Sequence, residues 1–219
     1  MALQRQKFDA GLDELRKALI VMGEKVETAL IDSVTSLRDN NRDLAEQVIA
    51  KDRELNEYEA KISDMGSQLI ALQQPVAKDL RRILISFKMA SDLERMGDLA
   101  VDIAKTVRRI NGEPLIKPLV DIPRMAEIVR EMIQDSIEAY MQENVDLAYK
   151  MAKMDDEVDH LHSQILRELF VFMMENPKNV NQSLLLAFVS RYLERMADHA
   201  TNIGESVAYL VTGNRPDLN

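Results

Sequence analysis

Apolar residues at Leu12, Leu15, Leu19, Met22, Val26, Leu30, Val34 and Leu37 recur every three or four positions, drawing one stripe along a long amphipathic helix. The turn-forming run Asp39-Asn40-Asn41 closes it. Leu44, Val48, Leu55, Ile62, Met65, Leu69 and Leu72 predict a second helix that stops before Pro75. Pro75 is expected at the first position of a third helix, where its missing N–H has no intrahelical partner to lose. That helix is expected to run to about Ile110, where Asn111-Gly112 supplies a stop. From Gly112 to Pro123 the period vanishes and three prolines appear, so 112–122 reads as a linker. Helical spacing resumes over about 123–143, 145–175 and 180–211, with breaks at Glu143-Asn144 and Asn176-Pro177-Lys178-Asn179. The pattern predicts an all-α fold of two tandem antiparallel three-helix bundles, residues 1–111 and 123–219.

The second half repeats the first. The segment from Asp92 to Ala104 returns as Tyr192 to Gly204, with seven of thirteen positions identical at an offset of 100. Upstream the offset is 103: Asp52 matches Asp155, Glu54 matches Glu157, and Asn41-x-Asp43-Leu44-Ala45 matches Asn144-x-Asp146-Leu147-Ala148. A duplication of this length is one supersecondary module used twice. The carboxylates recur together with the apolar residues, so their task is expected in both halves.

Composition narrows the function classes. Seven glycines, six prolines and no tryptophan leave little material for a turn-rich β fold, and the absence of cysteine removes disulfides, thiolate nucleophiles and cysteine metal sites. A net charge of −9 argues against nucleic-acid binding, which draws on a clustered positive face. The N-terminal residues lack an apolar signal core and no apolar run reaches the length of a bilayer span, so a cytoplasmic protein without direct membrane insertion is expected.

At 100° per residue, Glu94, Asp98 and Asp102 share a band about 80° wide, nearly opposite Leu93, Met96, Ala100, Ile103 and Val107. These acids are expected to look away from the bundle core. Glu194, Asp198 and Asn202 repeat the arrangement. Asp52, Asn56 and Glu59 share a flank of the second helix, and Asp155, Asp159 and His162 share the matching flank of the fifth. Where that flank meets the stripe of its neighbour, each bundle would present clustered oxygen ligands suited to magnesium, manganese, iron or calcium. Solvated charge is the plain alternative for any single stripe, with Arg95 and Arg195 near enough to neutralise part of it. Recurrence in both halves favours a shared role. Glu157-x-x-His160 has the spacing of a di-iron bundle ligand pair, but the first half has Glu57-x-x-Ala60 instead, so no such centre is expected. His160, His162 and His199 are otherwise expected on helix surfaces, and Arg81, Arg82 and Lys88 in solvent. The thirteen methionines are expected to fill the core, with Met173-Met174 as an adaptable partner surface. No glycine-rich phosphate loop or nucleophile–base arrangement is present, so no catalytic residue is assigned.

Three features together resemble the PhoU family of phosphate uptake regulators. They are Gln73-Gln74-Pro75-Val76-Ala77-Lys78-Asp79-Leu80-Arg81 at the third helix, the pair Leu93-Glu94-Arg95-Met96-Gly97-Asp98 and Leu193-Glu194-Arg195-Met196-Ala197-Asp198, and the duplicated three-helix layout. The resemblance covers essentially the whole chain. It implies a non-enzymatic regulator that signals between the ATPase subunit of a phosphate ABC transporter and a membrane sensor histidine kinase. In that role it represses the phosphate-starvation response and restrains uptake. It further implies metal ions (iron, zinc, manganese, magnesium or calcium) at Glu94, Asp98 and Asp102 and at Glu194 and Asp198; the flank carrying Asp52, Asp155 and Asp159 is expected beside them from the helix pattern. Asn202 breaks the second carboxylate run, so equal affinity of the two sites is not expected. A homodimer sharing cations across a two-fold axis is a further expectation. A metal-storage protein built on the same surface carboxylates is the alternative reading.

Overall fold

The computed structural model describes residues 2–214 and 216–218; Met1, Arg215 and Asn219, which fall inside the expected units, lie outside the described residues. The chain forms α1 (Ala2–Arg38), α2 (Arg42–Gln73), α3 (Ala77–Ile110), α4 (Asp121–Gln142), α5 (Val145–Glu175) and α6 (Val180–Thr212), with a 3₁₀ turn at Pro177–Asn179 before α6. Asn41 and Asn144 start α2 and α5 by the same device, their side-chain oxygens accepting from the N–H of Leu44 at 3.1 Å and of Asp146 at 3.0 Å. Left-handed residues end α2, α3, α4 and α6 at Gln74, Asn111, Glu143 and Gly213.

Two boundaries differ from the sequence reading, and both concern proline. Pro75 does not open α3: Val76 is the extended cap and the helix begins at Ala77. Pro123 does not mark the start of α4 either, which begins two residues earlier at Asp121. Pro123 fits inside the first turn of α4, because the N–H groups there have no intrahelical acceptor, whereas Pro75 sits outside α3, before its cap.

Within each triplet every helix touches the other two, and the triplets lie side by side, α1 against α4 and α3 against α6. Each helix of this central square packs on its own counterpart from the other repeat. One continuous apolar cluster runs through both triplets, from Leu15 and Leu30 through Met89 and Leu93 to Met125, Met132, Met196 and Ile203. α2 and α5 close the two flanks. This layout explains why α3 and α6 bury residues on nearly all sides, including the small Ser86, Ala90, Ala100 and Ala104 of α3. A helix touched by three others has little surface left for solvent, and part of what remains of α3 and α6 faces the grooves beside α2 and α5.

Candidate functional site: an acidic groove in each repeat

The predicted acids converge on those grooves. In the first repeat Asp52 of α2 lies close enough to Asp98 and Asp102 of α3 to feel their charge, and Glu94 feels Asp98, Glu59 and Asp52. In the second, Asp155 of α5 feels Asp198, Asp159 and Glu194. Asn56 is exposed and Asn202 half-buried, its backbone carbonyl accepting the Ser206 hydroxyl at 2.8 Å. The acids do not simply point to solvent, as the helical wheel implied. Glu94 and Glu194 are largely covered, with side chains 15% and 12% exposed, and Asp155 is buried. A wheel locates the face opposite one neighbour; it cannot see that a second neighbour covers that face.

The two grooves differ in how their charge is met. In the first, Arg95 reaches Asp98 at 3.3 Å and Glu94 at 3.6 Å, while Lys105 donates to Asp102 at 2.9 Å. Burial raises the Asp52 and Glu94 carboxyls, and the neighbouring acids add to the rise. In the second groove Arg191 pairs with one oxygen of Glu194. Asp155 Oδ1 and Glu194 Oε2 are buried without a hydrogen-bond donor. Burial, reinforced by Asp198, Asp159 and Glu194, pushes the Asp155 carboxyl up to about 7. Glu194 and Asp198 are raised chiefly by burial as well. His162 stands at the groove with Nδ1 2.9 Å from the Ser190 hydroxyl, its pKa lowered by burial and by Arg191.

Among the described residues no three His, Asp or Glu side chains close into a set able to hold a metal ion. The donor chemistry nonetheless suits a hard cation: the ligands are oxygen atoms, two of them buried and unpaired, and a positive ion would relieve the repulsion that raises these carboxyls. In the first groove such an ion would have to compete with Arg95 and Lys105.

Other expected residues lie elsewhere. Glu157 is exposed and paired with Arg124 at 2.8 Å, and His160 is exposed with Nδ1 2.6 Å from the Asp156 carbonyl oxygen, so neither faces a bundle interior. His199 is a correction: it is no surface histidine, but bonds Asp92 across the α3/α6 seam at 3.0 Å. Arg82 is a second correction. It is not solvated but clamps Glu143 at 2.6 Å and Asp79 at 3.0 Å, tying the start of α3 to the end of α4. Arg81 lies over the Tyr209 ring. Met22, Met89, Met96, Met125, Met132, Met151 and Met196 fill the core, whereas Met174 stands in the open at 85% exposure. No helix among the described residues is long and apolar enough to cross a membrane.

Comparison with known proteins agrees along the whole chain. The PhoU domain family model matches twice, at residues 19–107 and 122–207. A Clostridium acetobutylicum protein named phosphate-specific transport system accessory protein PhoU homolog is 42% identical over 218 residues, covering 99% of this chain and 100% of that one. A protein of the same name from Aquifex aeolicus is 41% identical over 202 residues, covering 92% of this chain and 91% of its own length. The crystal structure of PhoU from Pseudomonas aeruginosa superposes with a TM-score of 0.90 at 36% identity, covering 94% of this chain and 100% of that one. That of the phosphate transport system regulatory protein PhoU from Streptococcus pneumoniae gives 0.88 at 28% identity, covering 96% and 99%. With two matched repeats, relatives above 40% identity across nearly the full length, and the same all-helical fold, the chain belongs to the PhoU domain family.

Proposed function

We propose that this chain is a cytoplasmic accessory regulator of phosphate transport that acts by contact and carries out no chemical step of its own. It signals between the ATPase subunit of a phosphate ABC transporter and a membrane sensor histidine kinase, represses the starvation response when phosphate is plentiful, and restrains uptake. The observation that carries this reading is the 42% identity, end to end, with a protein named as an accessory of the phosphate-specific transport system. Long helices with a charged outer surface suit such a role, because complementary charge speeds encounter with basic partner patches. The test is an affinity pull-down from the native cells at high and low phosphate. Recovery of the transporter ATPase or a sensor kinase, stronger at high phosphate, supports the reading. Recovery of neither, together with unchanged starvation-gene output after deletion at high phosphate, overturns it.

The buried, unpaired oxygens of Asp155 and Glu194 favour a second element of the same function. Divalent or ferric ions are held at the acidic grooves, by Asp155, Asp159, Glu194 and Asp198 with the Asn202 amide in one repeat, and by Asp52, Glu94, Asp98 and Asp102 in the other. There they neutralise the carboxylates and give two copies of the chain a shared counterion across a homodimer axis. Metal analysis of the purified chain separates this from metal storage: storage needs many ions per chain, regulation only a few.

A further inference from the structure

The duplication is not faithful everywhere, and one departure opens a cleft. In the second repeat Lys150 of α5 lays its ammonium between Glu131 and Asp135 of α4, at 2.7 and 2.8 Å. Hydrogen bonds to Asp135 and Glu131 hold the pKa of this lysine up at about 12. The offset of 103 that aligns α1 and α2 with α4 and α5 puts Thr28, Asp32 and Gln47 at those three positions. The first repeat therefore keeps a carboxylate and lacks the ammonium. Asp32 is half-buried and has no ion-pair partner among the described residues.

The space beside Asp32 is open where its counterpart is filled. A cleft of about 350 Å³ lies between α1 and α2, floored by Ala29, Val48, Leu55 and Val101. That volume is in the range of small-molecule sites. The second repeat carries Met132 and Met151 in place of Ala29 and Val48, and both methionines are fully buried. The rim is acidic: Glu24, Asp32, Asp52 and Glu54 stand against Lys25 and Lys51, and Lys25 is already committed to Glu54 at 2.5 Å. An apolar floor under an uncompensated carboxylate selects a cation with an apolar body. The twin repeat supplies such a group from its own chain, the butyl-ammonium arm of a lysine.

We propose that this cleft binds a small primary ammonium compound with a short apolar body, its cation taking beside Asp32 the place that the Lys150 ammonium takes beside Asp135. Two substitutions copy the second repeat into the first. Gln47→Lys supplies the ammonium from within, and Ala29→Met fills the floor. Neither removes a packed or paired group, so melting temperatures at or above that of the parent chain serve as the control for folding.

The experiment is isothermal titration of the full chain, chelator-treated because Asp52 borders both the cleft and the acidic groove. The probes are phenethylammonium and phenylacetate, which share a ring and differ in the sign of their charge. Saturable one-to-one binding of phenethylammonium is expected, with phenylacetate at least tenfold weaker. At least a tenfold loss of phenethylammonium affinity is expected in both variants, and loss in either one supports the proposal. No saturable binding, phenylacetate binding as tightly, or undiminished affinity in both variants would overturn it.

Discussion

Asp155 concentrates the physics of the grooves in one side chain. Its carboxyl is buried, one oxygen has no donor, and four further acids surround it, so its pKa rises from 3.8 to about 7. Between those values the folded state holds more protons than the unfolded one, and stability falls as pH rises. With metal removed, Asp155→Asn should therefore be more stable than the parent chain at pH 8, by roughly 1–3 kcal/mol, and the two should converge near pH 4. Urea melts across that range check this, and parallel pH curves would dismiss it. Recurrence in the sequence was enough to single out Asp155 and its neighbours. It could not single out Asp92 and His199, because the residues at their equivalent positions are Tyr192 and Leu99. A polar pair that breaks the internal symmetry is invisible to any argument from repetition.

The helices themselves were legible because their apolar positions keep one period for thirty residues at a time. Their ends were less so: a proline near a helix start does not say where the helix begins, as Pro75, just outside α3, and Pro123, inside the first turn of α4, demonstrate from opposite sides. The clamp that joins two such ends was not legible at all. Glu143 ends α4 in a left-handed conformation and takes Lys78 at 2.5 Å and Arg82 at 2.6 Å, both from the first turns of α3. Burial works against its charge, but the hydrogen bonds from Lys78 and Arg82 prevail and hold its pKa below the usual carboxylate value. Such a group stabilises the fold above its unfolded pKa, and the benefit disappears as pH falls through the folded one. Glu143→Gln should cost about 1 kcal/mol at pH 7 and less at pH 3. Equal loss at both pH values would assign the effect to shape and not to charge. The acidic grooves belong to this scale too. The stripes were readable on single helices, but whether a second helix covers them depends on packing, and a wheel drawn for one helix carries no such information.

At the scale of the molecule the central fact is that α1 packs on α4 and α3 on α6, each helix against its own counterpart, within one uninterrupted core. Sequence periodicity predicted the two triplets but left open whether they join end to end or side by side. The clue was the density of small residues around α3 and α6, which a helix with one exposed face does not need. Because one apolar cluster runs across the seam, fragments 1–111 and 112–219 should each lack cooperative melting alone and recover it when mixed in equal amounts. Independent cooperative transitions for the separate fragments would refute that. Like-on-like contact is also the signature of a two-fold axis, the geometry of a dimer of identical subunits. A lone three-helix unit has one obvious way to cover such a face, which is a second copy of itself. The two repeats of the present chain meet in that same like-on-like way, joined by the stretch between α3 and α4. Fusion releases a constraint. In a dimer of identical chains every substitution occurs twice, so a lysine installed in one half is installed in both. Joined in tandem, one half carries Met132, Met151 and Lys150 while the other carries Ala29, Val48, Gln47 and the cleft.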